Sequence, residues 1–311
     1  MKKKLCVLLC IITTLLCGCR TSRSDLRFGA ANIGGMYYAF ANTFATLSNE
    51  NTDSYTIEVR STAGSAANLR LLSDNYLELG IAQADILEES YKNNQNLRAI
   101  SGLYTEACQL VVREQSDIHS LADLAGHSIS VGDAESGTEK NANQILAFAG
   151  LTSSIVDIQN LDYTASAKAL KNGDIDAFFC TAGVSTTVIN ELAYKCDIRL
   201  ISLDDTCVDR MLASSDAYSK YIIPANTYPG QTEDVTTIGV KAVLVTTDAV
   251  STEIIHQITQ LLFNEASTLQ YAISLDLQVD EENALQNIPV PFHNGALAYY
   301  EEQGIALKPS E

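Results

Sequence analysis

Five times along this chain a short apolar run ends in a turn carrying glycine, hydroxyl or amide groups, and a helical pattern follows at once. The runs at 26–30, 55–60, 79–82, 128–131 and 177–181 read as strands, as do 155–160 and 198–202. Helical patterns occupy 37–47, 66–72, 165–171 and 186–194. A further helix opens at Thr138, where Ala142, Ile145, Leu146 and Ala149 recur with the spacing of one helix face. Ile254, Ile258, Leu261 and Leu262 mark another amphipathic helix. Alternating strands and helices build α/β layers, because each crossover helix covers a face of a mainly parallel sheet.

No fixed-period repeat and no low-complexity linker interrupts this rhythm. Two domains without a linker must exchange the chain through ordered strands, and 110–113 and 224–240 are the candidate crossings. The expected boundaries are 26–109 with 237–311 for a discontinuous first domain, and 110–236 for the second. A cleft between such domains, walled by strand ends and helix N-termini, is the natural ligand site.

The N-terminus has the grammar of an export signal. Lys2, Lys3 and Lys4 precede an apolar stretch from Leu5 to Cys17, too short for the ~20 residues of a membrane span. Leu16-Cys17-Gly18-Cys19 resembles a bacterial lipobox, so 1–18 is expected to be a signal peptide. Cys19 would be the lipidated residue, and 19–25 a short tether holding the protein extracytoplasmically at the membrane. Loss of the three lysines takes the formal charge from −18 to −21, which disfavours nucleic acid and anionic lipid surfaces. Cys108, Cys180, Cys196 and Cys207 remain, without metal-type spacing, and Cys108 and Cys180 sit in strand-like runs suited to buried thiols.

The turns carry the chemistry. Asn32-Ile33-Gly34-Gly35-Met36-Tyr37-Tyr38 either brings backbone N–H groups close to a ligand or is a glycine turn with packed tyrosines. At Gly64-Ser65-Ala66-Ala67-Asn68-Leu69, Ser65 reads as an N-cap, with Asn68 one turn along. At Gln83-Ala84-Asp85, Gln83 can point its amide into a cleft and Asp85 reads as an N-cap. Gly132 to Thr138 has the glycine spacing of a P-loop, but Thr138 stands where the phosphate-binding lysine belongs. What remains at Ser136, Gly137 and Thr138 is a helix start with free N–H groups and two hydroxyls, a clamp for one carboxylate or simply a capped helix. The turn from Cys180 to Thr187, with Gly183, faces the cleft from the second domain, and Thr186 or Thr187 caps the helix.

Enzyme readings find little support. Ala134 breaks the nucleophile-elbow pattern before Ser136, S-x-x-K is absent, and His119, His127, His256 and His293 lack ligand spacing and read for the most part as surface or loop residues. Asp174 and Asp176 read as solvated turn residues. No catalytic residue, metal or cofactor is expected.

In this order the segments resemble the TAXI family, the solute-binding partners of TRAP transporters. The resemblance rests on Gly34-Gly35-Met36-Tyr37-Tyr38, Thr62-Ala63-Gly64-Ser65 with Asn68-Leu69, and Gln83-Ala84-Asp85. It continues through Leu103-Tyr104-Thr105-Glu106, then Ile118 with Leu121, Asp123-Leu124 and Gly126, then Val131-Gly132 and Ser136-Gly137-Thr138-Glu139. Gly173 with Asp176-Ala177-Phe178-Phe179, Tyr228 with Gly230-Gln231, Asp234-Val235, and His293 with Gly295-Ala296 and Tyr299-Tyr300 complete it, over 26–305. Ser185 and Asn294 depart from it, standing where proline is expected. The resemblance implies a type II periplasmic-binding fold, two α/β domains closing on glutamate or a related dicarboxylate, and a monomer that meets TRAP membrane subunits. Its implied contacts are Tyr37, Ser65, Asn68, Gln83, Ser136, Gly137, Thr138, Gly183 and Tyr228. A sensing receptor or ABC-type binding lipoprotein of the same fold is the alternative, and an exported enzyme or a surface antigen that transports nothing is a third reading.

Overall fold

The computed structural model describes residues 23–273 and 283–305. The signal segment, Cys19 and most of the tether lie outside the described residues. From the N-terminal side, β1 (Ser24–Gly29), α1 (Met36–Asn51), β2 (Tyr55–Arg60), α2 (Ser65–Ser73), β3 (Leu79–Gln83) and α3 (Ala84–Asn93) form one lobe. The long strand β4 (Leu97–Arg113) leads to the other, made of β5 (Ser128–Ser130), α4 (Gly137–Phe148), β6 (Asp157–Gln159), α5 (Tyr163–Asn172), β7 (Ala177–Ala182), α6 (Thr187–Ala193), β8 (Ile198–Ile201), α7 (Asp205–Ser214) and β9 (Tyr218–Ile223). Strand β10 (Val235–Thr247) returns to the first lobe, which α8 (Thr252–Asn264), α9 (Ala266–Ile273) and α10 (Asn294–Glu302) complete.

Each lobe has a parallel set of strands flanked by helices, as the βαβ rhythm predicts. Strand β1 pairs in parallel with β2 and β3, and β5 pairs in parallel with β6 and β7. Every antiparallel pairing among the described strands involves β4 or β10. These two run side by side from Ala107↔Gly239 to Leu97↔Thr247. Strand β4 then continues against β7 and β8, and the start of β10 lies against β9. The first crossing is therefore much longer than 110–113. It begins at Leu97 and is buried along almost its whole length, so it lacks the alternation that marks a strand with a solvated face. The second crossing runs through β10, and residues 224–234 are a loop before it.

Phe28, Phe40 and Phe44 anchor the core of the first lobe, and Phe178, Ile189 and Leu192 that of the second. A further apolar cluster runs from Leu69 and Leu87 past Cys108 and Val240 to Ile129 and Leu146, so packing is continuous across the crossing strands. All four described cysteines are free thiols, with Cys108, Cys180 and Cys207 buried.

Several local expectations are corrected. Ser65 is the first residue of α2 and does not cap it; Gly64 precedes it at φ 125°, a conformation suited to glycine. Asp85 is not a cap either, because Gln83 holds that place before α3. His293 is buried, where its Nδ1 accepts from the Gly295 N–H at 3.0 Å and so caps α10. Asp176 is half-buried, bonded to Arg113 at 3.2 Å and set 3.1 Å from His127 Nδ1.

Candidate functional site

The turns after β1, β2, β3, β5 and β7 open toward one cleft. Its lining includes Asn32, Gly35, Tyr37, Gly64, Ser65, Gln83 and Glu106 on one side, and Asp133, Ser136, Gly137, Thr138, Tyr163 and Thr181 on the other. The space between them, partly open to solvent, is about 50 Å³, on the scale of a few water molecules at ~10–15 Å³ each. The two walls touch. Asn32 Nδ2 donates to Asp133, and the Arg70 guanidinium meets Glu135 at 2.9 Å. The Ala67 N–H donates to the Glu135 carbonyl at 3.3 Å. Glu135 has φ 64°, an uncommon conformation for a residue with a side chain.

Helix α4 contributes its start. Ser136 caps it, with Oγ accepting from the Glu139 N–H at 3.0 Å. The amide groups of Gly137 and Thr138 lie in the first turn, where a helix has no internal acceptor for its N–H groups and its dipole favours an anion. The Ser136 O–H remains able to donate. The Thr138 hydroxyl does not, because it belongs to a closed ring. Thr138 Oγ1 accepts from the Thr181 N–H at 3.1 Å and lies 2.7 Å from the Tyr163 hydroxyl, which donates to the Thr181 carbonyl at 2.8 Å. Of the two hydroxyls expected at this clamp, one is thus spent on fastening α4 and α5 to β7.

Gln83 lies against Gly137 so closely that a Cβ there would stand 2.2 Å from Gln83 Oε1. The Gln83 N–H donates to Ser65 Oγ at 3.1 Å, which places both residues in the wall. Gln83 Oε1 is buried and has no hydrogen-bond partner. Beside it, the Tyr37 O–H donates to Glu106 Oε2 at 2.7 Å. Burial raises the Glu106 carboxyl to about 8, with nearby Asp85 adding to the rise and the bonds from Tyr37 and Gln83 opposing it. Burial and the same carboxyl push the Tyr37 hydroxyl well above its ordinary value.

Of the residues expected at the ligand, Tyr37, Ser65, Gln83, Ser136, Gly137 and Thr138 come together around this space. Asn68, Gly183 and Tyr228 do not line it. Asn68 is fully buried behind the wall, where Nδ2 donates to the carbonyls of Ala30 and Ile81 at 2.8 Å each. Tyr228 is also buried, donates to Gln109 Oε1 at 2.6 Å, and accepts from the backbone of Ser185 and Thr186, so it fastens the loop containing Gly183. Glu106, Asp133 and Tyr163 line the space without having been picked out as contacts. Asp133 lies within the Gly132 to Thr138 turn that the sequence marks, and Glu106 left a signal as the lone carboxylate of β4.

A second polar group joins the lobes beside the cleft. Buried Asp85 accepts from Tyr218 at 2.6 Å and Asn141 at 3.1 Å, and Lys140 bridges it to Glu89. Burial raises the Asp85 carboxyl against the pull of Lys140. Among the described residues no cluster of histidine, cysteine and carboxylate side chains could hold a metal ion.

The model of the NMT1-like family matches residues 28–304. The chain belongs to the NMT1-like family. Solved structures show the same fold at low sequence identity. The alkanesulfonate-binding protein SsuA of Xanthomonas axonopodis pv. citri, bound to MOPS, is 14% identical with a TM-score of 0.51, over 81% of this chain and 78% of that one. A structure describing glutathione import via GshT and the cystine ABC importer TcyBC of Streptococcus mutans is 13% identical with a TM-score of 0.54, over 84% and 99%. A putative L-cystine ABC transporter protein of Listeria monocytogenes is 14% identical with a TM-score of 0.52, over 80% and 94%. The fold is that of the two-domain type II periplasmic binding proteins.

Proposed function

We propose that this member of the NMT1-like family is an extracytoplasmic solute-binding protein that closes on one small carboxylate-bearing solute and presents it to the membrane subunits of an importer. The observation that carries the reading is the start of α4, where Ser136, Gly137 and Thr138 line the space between two lobes. A helix start binds an oxyanion through unpaired N–H groups without a basic side chain. Tyr37, Ser65 and Gln83 supply the facing wall. Lobe boundaries at 109/110 and 236/237, and a lipid on Cys19, belong to the same proposal.

The fold relatives named for ABC importers favour an ABC-type membrane partner. The ordered TAXI-like segments favour a TRAP-type partner instead, and pull-down of membrane subunits with the lipidated chain separates the two. Nothing in the reading calls for catalysis. Titration calorimetry of the purified chain against amino acids and organic acids tests it. One-to-one saturable binding is expected, weakened about tenfold by Ser136→Ala, the size of one lost hydrogen bond to a charged group. No heat from any member of the panel would refute the reading.

A further inference from the structure

Gln83, which lines the floor of the cleft with Glu106, stands two residues before Asp85 where β3 turns into α3. Opposite, Gly137, Lys140 and Asn141 share the first turns of α4. These two short segments make two contacts at once. One is the approach of Gln83 to Gly137 inside the cleft. The other is the bridge at Asp85. The side chains that reach the Asp85 carboxylate, those of Tyr218, Asn141 and Lys140, all come from the second lobe. Across the same boundary Lys140 donates to the Asp85 carbonyl at 3.2 Å, and Ser215 Oγ donates to Glu88 Oε2 at 2.8 Å. Helix α4 does not yield to this pull by itself, because the ring of Thr138, Tyr163 and Thr181 ties its start to β7. Gripping α4 therefore grips the second lobe.

The bonds between the lobes differ in kind. The Arg70 and Glu135 side chains are 53% and 51% exposed, and an ion pair so exposed contributes little. Asp85 is 3% exposed, and hydrogen bonds to a charged group are the stronger class. None of the bonds at Asp85 includes a solute atom. We infer that Asp85 is a positioning residue, a latch that holds the start of α4 against the first lobe and keeps the lobes drawn together before any solute arrives. The inference rests on the solute-capture reading for its purpose, since α4 carries the proposed carboxylate clamp, but its geometry is independent of that reading. A solute then enters only after the latch opens, and release to a membrane partner requires the same bonds to break.

Hydrogen exchange of the unliganded full chain, followed residue by residue by NMR, tests the latch. The Ala67 N–H donates across the cleft to the Glu135 carbonyl at 3.3 Å, whereas the neighbouring Asn68 N–H donates within its own lobe to the Gly64 carbonyl at 2.8 Å. Ala67 should be protected in the wild-type chain, because its bond breaks only when the lobes part. Tyr218→Phe removes one donor to the carboxylate. It should speed exchange at Ala67 about 10- to 100-fold, the range for one hydrogen bond to a charged group, and leave Asn68 unchanged. Asp85→Ala should speed it at least as much, and Asp85→Asn, which still accepts from Tyr218, should fall between wild type and Asp85→Ala. Exchange at Ala67 as fast as in an open chain, in the wild type, overturns the latch. Protection that survives in folded Tyr218→Phe and Asp85→Ala proteins overturns it too. Equal acceleration at Asn68 would make Asp85 a residue of the first lobe's fold and also overturns it. No solute takes part, so the latch fails or stands separately from the calorimetric test of capture.

Discussion

Replacing Glu106 by Gln should make the unliganded protein more stable above neutral pH, and the structure sets the size of the effect. Burial holds the carboxyl at about 8 in the folded state against 4.5 for the free side chain. A group whose folded value is raised contributes stability fully below the unfolded value and loses it as pH rises through the folded one. The window is therefore about pH 4.5 to 8. At about 1.4 kcal/mol per pH unit the loss has an upper bound of about 5 kcal/mol, and relaxation around the charge brings it to about 2–5 kcal/mol. For a chain of this size each kcal/mol moves Tm by about 2–4 °C. Thermal melts of both proteins from pH 5 to pH 9 should diverge by about 5–15 °C, with the Gln variant the more stable at pH 9. Glutamine keeps the shape and can still accept from Tyr37, so packing changes little. Parallel curves over the whole range would show that Glu106 is solvated or paired, and would refute the buried floor.

Gly137→Ala should hold the cleft open, because its Cβ would overlap Gln83 Oε1. Overpacking costs about 1–3 kcal/mol, so ligand affinity should fall about 5- to 100-fold while thermal melts of the unliganded protein stay close to wild type. Asn68→Ala should act the other way, leaving two buried carbonyls without donors and lowering stability by about 2–4 kcal/mol in urea titrations. Its affinity, measured where the variant is folded, should change little. Cys19→Ser should release the protein from membranes in cell fractionation, and retention would refute lipid anchoring at that residue.

Local features were the most legible in the sequence. Strand β2 spans 55–60 as expected, and helices begin within a residue or two of the predicted starts, because alternation, helical spacing and glycine turns act over a few residues. Failures occur where tertiary contacts decide. Asp85 has the sequence of a cap, but Lys140, Tyr218 and Asn141 draw it into a buried bridge between lobes. Thr138 has the sequence of a ligand contact, yet its hydroxyl is occupied by Tyr163 and Thr181. Asn68 follows a glycine turn like the true wall residues, but its amide faces the backbone of the strands. The pairing of Glu106 with Tyr37 spans 69 residues, and no spacing rule connects them. What made Glu106 visible in principle was the anomaly of the lone carboxylate in a strand that is almost wholly buried.

The central claim is capture of a small solute in the cleft between the lobes, and a crystal structure grown with the tightest-binding member of the panel tests it most directly. The account predicts one molecule enclosed by both walls, with its carboxylate about 2.7–3.2 Å from the N–H groups of Gly137 and Thr138. A cleft filled only by Gln83 and water, or a solute bound outside it, would contradict the account.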